Sequence, residues 1–284
     1  MKFYRWLIYG LVGLFFLRTA LQHWQHLPPM GSISWALVVA ATGMTLLAHL
    51  WAGVVWCGIW HFLGIPHPGP LVAQVLPVYL KTNLAKYLPG SVWHYYGRLR
   101  AVVRSGGDLP TGLLSVLLEP LLMAGVALSV ALFGTGLGWL AVILGALTVH
   151  PWVMNRSLQF FAKFKRTGEP LPEVKGYPWW LLAGELGFLL LRFGGFSLAL
   201  RAITTVGLGQ VPMLLTGFSW AWLLGLLVPT PGGLGMFEAS AIAILQPQFS
   251  PGILLASVVV YRLMNIAAEA IGAIIGLSLQ PHQK

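Results

Sequence analysis

Four of the seven acidic residues, Glu119, Glu185, Glu238 and Glu269, lie in or beside long apolar runs, and Arg192 and Arg262 lie in such runs with them. A charge at mid-bilayer depth costs at least about 2.5 kcal/mol even on the lenient insertion scale, so each group must face protein or water and find a partner. Two Pro-Gly motifs sit near them: LAKYLPGSVWHYYGR from Leu84 to Arg98, and LLVPTPGGLGMFEAS from Leu226 to Ser240. In the second, Pro231, Gly232, Gly233 and Gly235 precede Glu238 by a few residues. Backbone N–H groups at the start of a half-helix there would receive a phosphate. The alternative is that Glu238 caps that helix against its dipole. In the first motif Lys86 and Arg98 flank Pro89 and Gly90, where they would hold a headgroup phosphate or simply snorkel to an interface.

These groups need a scaffold that is not a soluble one. The chain has 284 residues, 57% hydrophobic and 8% charged, with 34 Gly, 13 Trp and a mean hydropathy of +0.78. Soluble domains carry about 25% charged residues. The long apolar runs lack the alternation of barrel strands, which leaves an all-α polytopic membrane protein in a single domain. A crossing takes about 20 apolar residues, which places six spans at 6–23, 34–60, 111–133, 136–154, 178–200 and 251–278. The first is read as a retained span, since no small-residue cleavage site follows its basic start. Segments 72–97 and 212–247 each break at Pro-Gly, where proline removes a donor and glycine permits unusual backbone angles. Broken backbone at membrane depth is tolerated only inside protein or beside a wet cavity, so both segments are read as re-entrant hairpins.

The bases agree with that layout. With a cytoplasmic N-terminus and neither hairpin crossing, all but Arg18, Arg192, Arg201 and Arg262 of the 17 Lys and Arg residues fall on the cytoplasmic side, together with both termini. The same preference accounts for the net charge of +10, so nucleic acid is not an expected partner. Of these bases, those in the loop from Asn155 to Gly176 form the likeliest contact surface on that side.

A shift of 142 residues lays Pro89-Gly90 on Pro231-Gly232, Ser115-Val116 on Ser257-Val258 and Leu121 on Leu263, without a gap. The counterpart spans run in opposite directions, so the two halves, about 34–133 and 178–278, form an inverted repeat of the kind that encloses a midplane site. The shift sets Glu119 beside Arg262, one residue out of register, and points to an ion pair between them, either a static bridge or coupled to substrate or protons, with no contact between the two as the remaining alternative. Glu185 and Arg192 are seven apart, as are Arg262 and Glu269, too far to bond within one ideal helix, so each is expected to pair elsewhere.

Other patterns carry less. Cys57 stands alone, which excludes disulfides and thiolate metal sites within the chain. His23 and His26 are three apart without a nearby acid, so no metal is expected there. Gly134-x-x-x-Gly138 and Gly272-x-x-x-Gly276 permit close helix packing, and Trp51, Trp56 and Trp60 read as interface or core. No H-E-x-x-H, G-x-S-x-G or Walker A motif occurs, so no cofactor or nucleotide motor is expected.

KYLPGSVW (Lys86 to Trp93), PGGLGMFEA (Pro231 to Ala239) and YRL (Tyr261 to Leu263) resemble the lysylphosphatidylglycerol synthase transmembrane-region family over most of the chain. The resemblance implies an inner (plasma) membrane protein associated with translocation of phospholipid or polyprenyl-linked lipid, without the separate soluble synthase domain. The chain departs from the family's pattern where Pro120 follows Glu119 and where Met123 and Ala124 take an acidic position. The leading expectation is a flippase-like transporter whose partner is an anionic phospholipid or polyprenyl phosphate lipid. A non-transporting lipid-binding or assembly protein, docked on a membrane-protein partner or a second copy, is the alternative. An intramembrane lipid-modifying enzyme is a weaker third reading, because no paired-acid signature supports it.

Overall fold

The structure, a computed structural model, describes residues 29–67, 69–87, 92–148, 150–153, 155–156, 159, 173–174, 176–228 and 235–279. Among these there are helices and no strands: α1 (Trp35–Phe62), α2 (Leu71–Asn83), α3 (Trp93–Arg104), α4 (Leu109–Phe133), α5 (Gly138–Thr148), α6 (Trp179–Arg201), α7 (Val211–Leu227), α8 (Met236–Leu245) and α9 (Pro251–Ser278). Short 3-10 turns at Leu84–Tyr87 and Leu208–Gln210 extend α2 and precede α7.

The helix ends follow from local chemistry. Asp108 caps α4 by accepting the Thr111 N–H at 2.8 Å, with Pro110 in the first turn, where a missing donor costs nothing. Ser250 and Pro251 open α9 in the same way. Gly64, at a φ of 63°, ends α1 in a conformation that favours glycine.

Five helices are long and apolar enough to cross a membrane: α1, α4, α6, α9 and the stretch Leu208–Leu227 that contains α7. Four match predicted spans, and 6–23 lies outside the described residues. Two expectations are corrected. The span predicted at 136–154 holds an eleven-residue helix, α5, about 16 Å long and far short of a 30 Å core. The turn at Gly136 (φ 79°) and the proline at 151, which disfavours helix in the residue before it, bound its run. Conversely, the first arm of segment 212–247 was not counted as a crossing, yet Leu208–Leu227 is long enough for one, because its apolar run starts before Val211.

Both Pro-Gly segments are helix–break–helix units. The arms α2 and α3 pack together where Gly97 faces Thr82, and α7 packs on α8 where Gly217 faces Leu245 and Gly225 faces Phe237. At the centre α1 lies along α6, brought close by small residues: a Cβ on Gly195 would stand 2.6 Å from Thr45 Oγ1, and one on Gly184 2.8 Å from Val55. In lipid, helices associate through such close packing rather than through hydrophobic driving force. Helix α9 packs on α1, α2 and α6, while α4 packs on α6 and α7. Exchanging α1–α4 for α6–α9 therefore carries the α2–α9 contact onto α7–α4, and α1–α9 onto α6–α4.

Two apolar clusters fill the interior, one around Phe196, Phe218, Phe237 and Tyr261, the other around Trp56, Trp60, Tyr79 and Leu118. Trp56 and Trp60 are thus core, while Trp51 donates from its indole to the Gly184 carbonyl at 2.7 Å.

Gly276 offers a direct test of α9 packing. An added Cβ would lie 2.9 Å from the Pro77 carbonyl oxygen, a backbone atom that cannot swing aside, whereas one on Gly43 would meet nothing. Gly276→Ala should cost about 2 kcal/mol of stability and Gly43→Ala none, measured by denaturant titration in detergent micelles.

Candidate functional site

A cavity of about 410 Å³ opens where the two helix–break–helix units meet α1, α4, α6 and α9. Four cations line it, Lys86, Arg98, Arg192 and Arg262, with three carboxylates, Glu119, Glu238 and Glu269. Its remaining wall mixes rings and apolar side chains, among them Tyr95, Phe188, Trp222 and Phe237.

Each carboxylate has a cation. Arg98, on α3 and 3% exposed, bonds Glu119 on α4 through Nη1 and Asn83 Oδ1 through Nη2 at 2.6 Å. Its Nε reaches Thr82 Oγ1 at 3.4 Å, and its guanidinium stacks 3.8 Å from the Tyr79 ring. Tyr79 in turn donates its hydroxyl to the other Glu119 oxygen at 2.6 Å. Arg262, on α9, donates through Nε to Glu238 Oε1 on α8 at 2.6 Å and bonds the same oxygen through Nη2. Lys86 turns inward to Glu269 Oε1 at 2.5 Å, and His49 Nε2 approaches that oxygen at 3.2 Å.

The predicted pairing of Glu119 with Arg262 is therefore replaced by two pairs, Arg98–Glu119 and Arg262–Glu238. Both original residues line the cavity, but each finds a nearer opposite charge on the helix next to its own in the chain. The two pairs join corresponding helices, α3 to α4 and α8 to α9, with the signs exchanged. A shift by 142 sets Arg98 within two residues of Glu238 and Glu119 within one of Arg262.

The other calls divide. Glu238 caps α8: the Gly235 N–H, at a φ of 93°, donates to Glu238 Oε2 at 2.6 Å. That hydrogen bond removes Gly235 from the donors expected to face a phosphate. Arg98 is buried and Lys86 half-buried, each bonded to an inward carboxylate rather than extended to an interface, so the snorkelling alternative fails for both. Glu185, 1% exposed on α6, stands within electrostatic reach of Arg98 and Glu119 but has no hydrogen-bond partner for either oxygen among the described residues. Arg192 bonds Asn265 Oδ1, and Glu269 finds Lys86 and His49, so both pair away from their own helices. Pro89, Gly90, Pro231, Gly232, Gly233, His23 and His26 lie outside the described residues.

Sequence reasoning missed His49, Tyr79, Asn83 and Trp222 as cavity residues. The available signal was weak but real for His49, a histidine midway along a 28-residue apolar helix. Tyr79 and Trp222 sit among other aromatics, and nothing in spacing distinguishes them from core.

The arrangement is a largely desolvated set of fixed charges and hydrogen-bond donors around one cavity. No protein-family model matches the chain, and no curated protein matches it in sequence.

Removing one member of a buried ion pair leaves the other charge unmatched, whereas removing both leaves none. Glu119→Leu should cost about 3 to 5 kcal/mol, while Glu119→Leu with Arg98→Met recovers most of it. A double-mutant cycle on unfolding in detergent micelles checks this.

Proposed function

We infer that this membrane-embedded helical protein is a flippase-like lipid transporter that moves a phospholipid or polyprenyl-linked lipid across the inner membrane. The observation that carries the reading is the charged cavity at the meeting of the two broken units, flanked by apolar helix faces. On α4, Glu119 points inward while Leu117 and Leu121 are exposed; on α9, Glu269 is inward while Leu263 and Ile266 are exposed. A lipid can place its headgroup among the charges and leave its tail along those outer faces.

In this reading the two halves are an inverted repeat, supported by the matched packing of α1–α4 and α6–α9 and by the sign-exchanged ion pairs. The broken units are re-entrant, supported by the length of α8: ten residues rise about 15 Å, half of a hydrocarbon core. The resemblance of KYLPGSVW and PGGLGMFEA to the transmembrane region of lysylphosphatidylglycerol synthases points to the same substrate class.

Fluorescent-lipid scrambling in proteoliposomes tests the function. Wild-type protein should move an anionic or prenyl phosphate lipid, and Glu238→Gln and Arg262→Ala should each slow that movement by about tenfold or more, since each leaves a cavity charge unmatched. Folded protein that moves none of these lipids would leave the non-transporting lipid-binding reading in its place.

A further inference from the structure

Among the described residues, Arg192 is the cavity cation that no carboxylate matches. Glu119, Glu238 and Glu269 are held by Arg98, Arg262 and Lys86, and Arg192 forms no ion pair among the described residues. Outside the described residues the sequence holds one acid, Glu169. Of its five N–H donors, one set on Nη1 reaches Asn265 Oδ1, and the same nitrogen stands 3.5 Å from His49 Nε2. That His49 nitrogen also lies 3.2 Å from Glu269 Oε1, so it either donates to the carboxylate or accepts from Arg192. The closer contact favours the carboxylate. Arg192 Nε is buried without any partner.

The guanidinium is nonetheless held in place. It lies 4.7 Å from the centre of the Trp222 ring and 5.4 Å from that of Tyr261, and the Tyr261 hydroxyl donates to the Arg192 carbonyl at 3.3 Å. Ring faces and one amide fix its plane but supply no countercharge. A guanidinium keeps its charge in proteins, and a buried charge without a partner is a large penalty. A positioned, unmatched guanidinium lining a cavity is a receptor for an anion, because its fork fits oxyanions through two parallel hydrogen bonds.

We propose that Arg192 is the anion-binding residue of the cavity and that it takes one singly charged oxyanion of the phosphodiester class. The single charge follows from the groups that line the cavity, four cations against three carboxylates, with Glu185 behind the wall rather than in it. The choice of a phosphodiester over another monoanion rests on the lipid reading of the preceding subsection. Arg192 and His49 face each other across the α1–α6 contact, 143 residues apart and so within one residue of the repeat shift. The anion thus sits where the two halves meet, and only one half contributes the charge.

Binding is measured by calorimetry on the purified full chain in neutral detergent, with three probes: dihexanoyl phosphatidylglycerol, inorganic phosphate and uncharged dihexanoylglycerol. The phosphatidylglycerol should bind and the uncharged lipid should not, with Arg192→Gln weakening binding by about tenfold or more. Phosphate binding as tightly as the lipid, and losing affinity equally in Arg192→Gln, supports the anion site with a free anion as its source. If Arg192→Gln does not fold, Arg192→Lys decides: it keeps the charge but loses the fork, so affinity should fall by about tenfold. Unchanged affinity in either folded variant, equal binding of the uncharged lipid, or binding of no probe overturns the proposal. Scrambling is read separately, so Arg192-dependent binding without lipid movement defeats the transport reading and leaves this one standing.

Discussion

Most charges placed among these apolar helices are matched from within the protein, and that requirement organises the fold around the cavity. Lipid offers no water to a stray carboxylate or guanidinium, so the chain brings Glu119 to Arg98, Glu238 to Arg262 and Glu269 to Lys86. Each pair ties two helices together. Arg98–Glu119 joins α3 to α4, Arg262–Glu238 joins α9 to α8, and Lys86–Glu269 fastens the end of the first broken unit to α9.

The two halves meet this requirement alike but not identically. The α3–α4 and α8–α9 pairs occupy corresponding places with opposite signs, while Lys86–Glu269 and the Arg192–Asn265 contact have no charged counterpart at the shifted positions. The shift takes Lys86 to Val228, Glu269 to Ala127 and Asn265 to Met123. The cavity is therefore lopsided in charge although the packing around it is paired.

Close backbone packing is the second constraint. Small residues on α1, α6 and α9 allow the long helices to approach, and that approach puts His49 against Arg192 and Lys86 within reach of Glu269. Gly276 against the Pro77 carbonyl and Gly195 against Thr45 leave no space for another carbon. The charges can be matched because the helices that carry them are held close.

Much of this was legible in the sequence, for definite reasons. Apolar runs of membrane length have no alternative in water, so α1, α4, α6 and α9 could be placed within a few residues. Proline and glycine break helices locally, which located both helix–break–helix units. Intramembrane charges are costly wherever they stand, which singled out Glu119, Glu185, Arg192, Glu238, Arg262 and Glu269 before any contact was known. Partnership was not legible, because it depends on which faces meet after packing. The repeat shift set Glu119 by Arg262, yet nearer charges on α3 and α8 took each of them. The short α5 was read too long because apolar composition does not register the backbone turns at its ends. Tertiary structure alone decided that Arg192 lacks a countercharge among the described residues, since that is a property of the surrounding side chains together and of no local pattern.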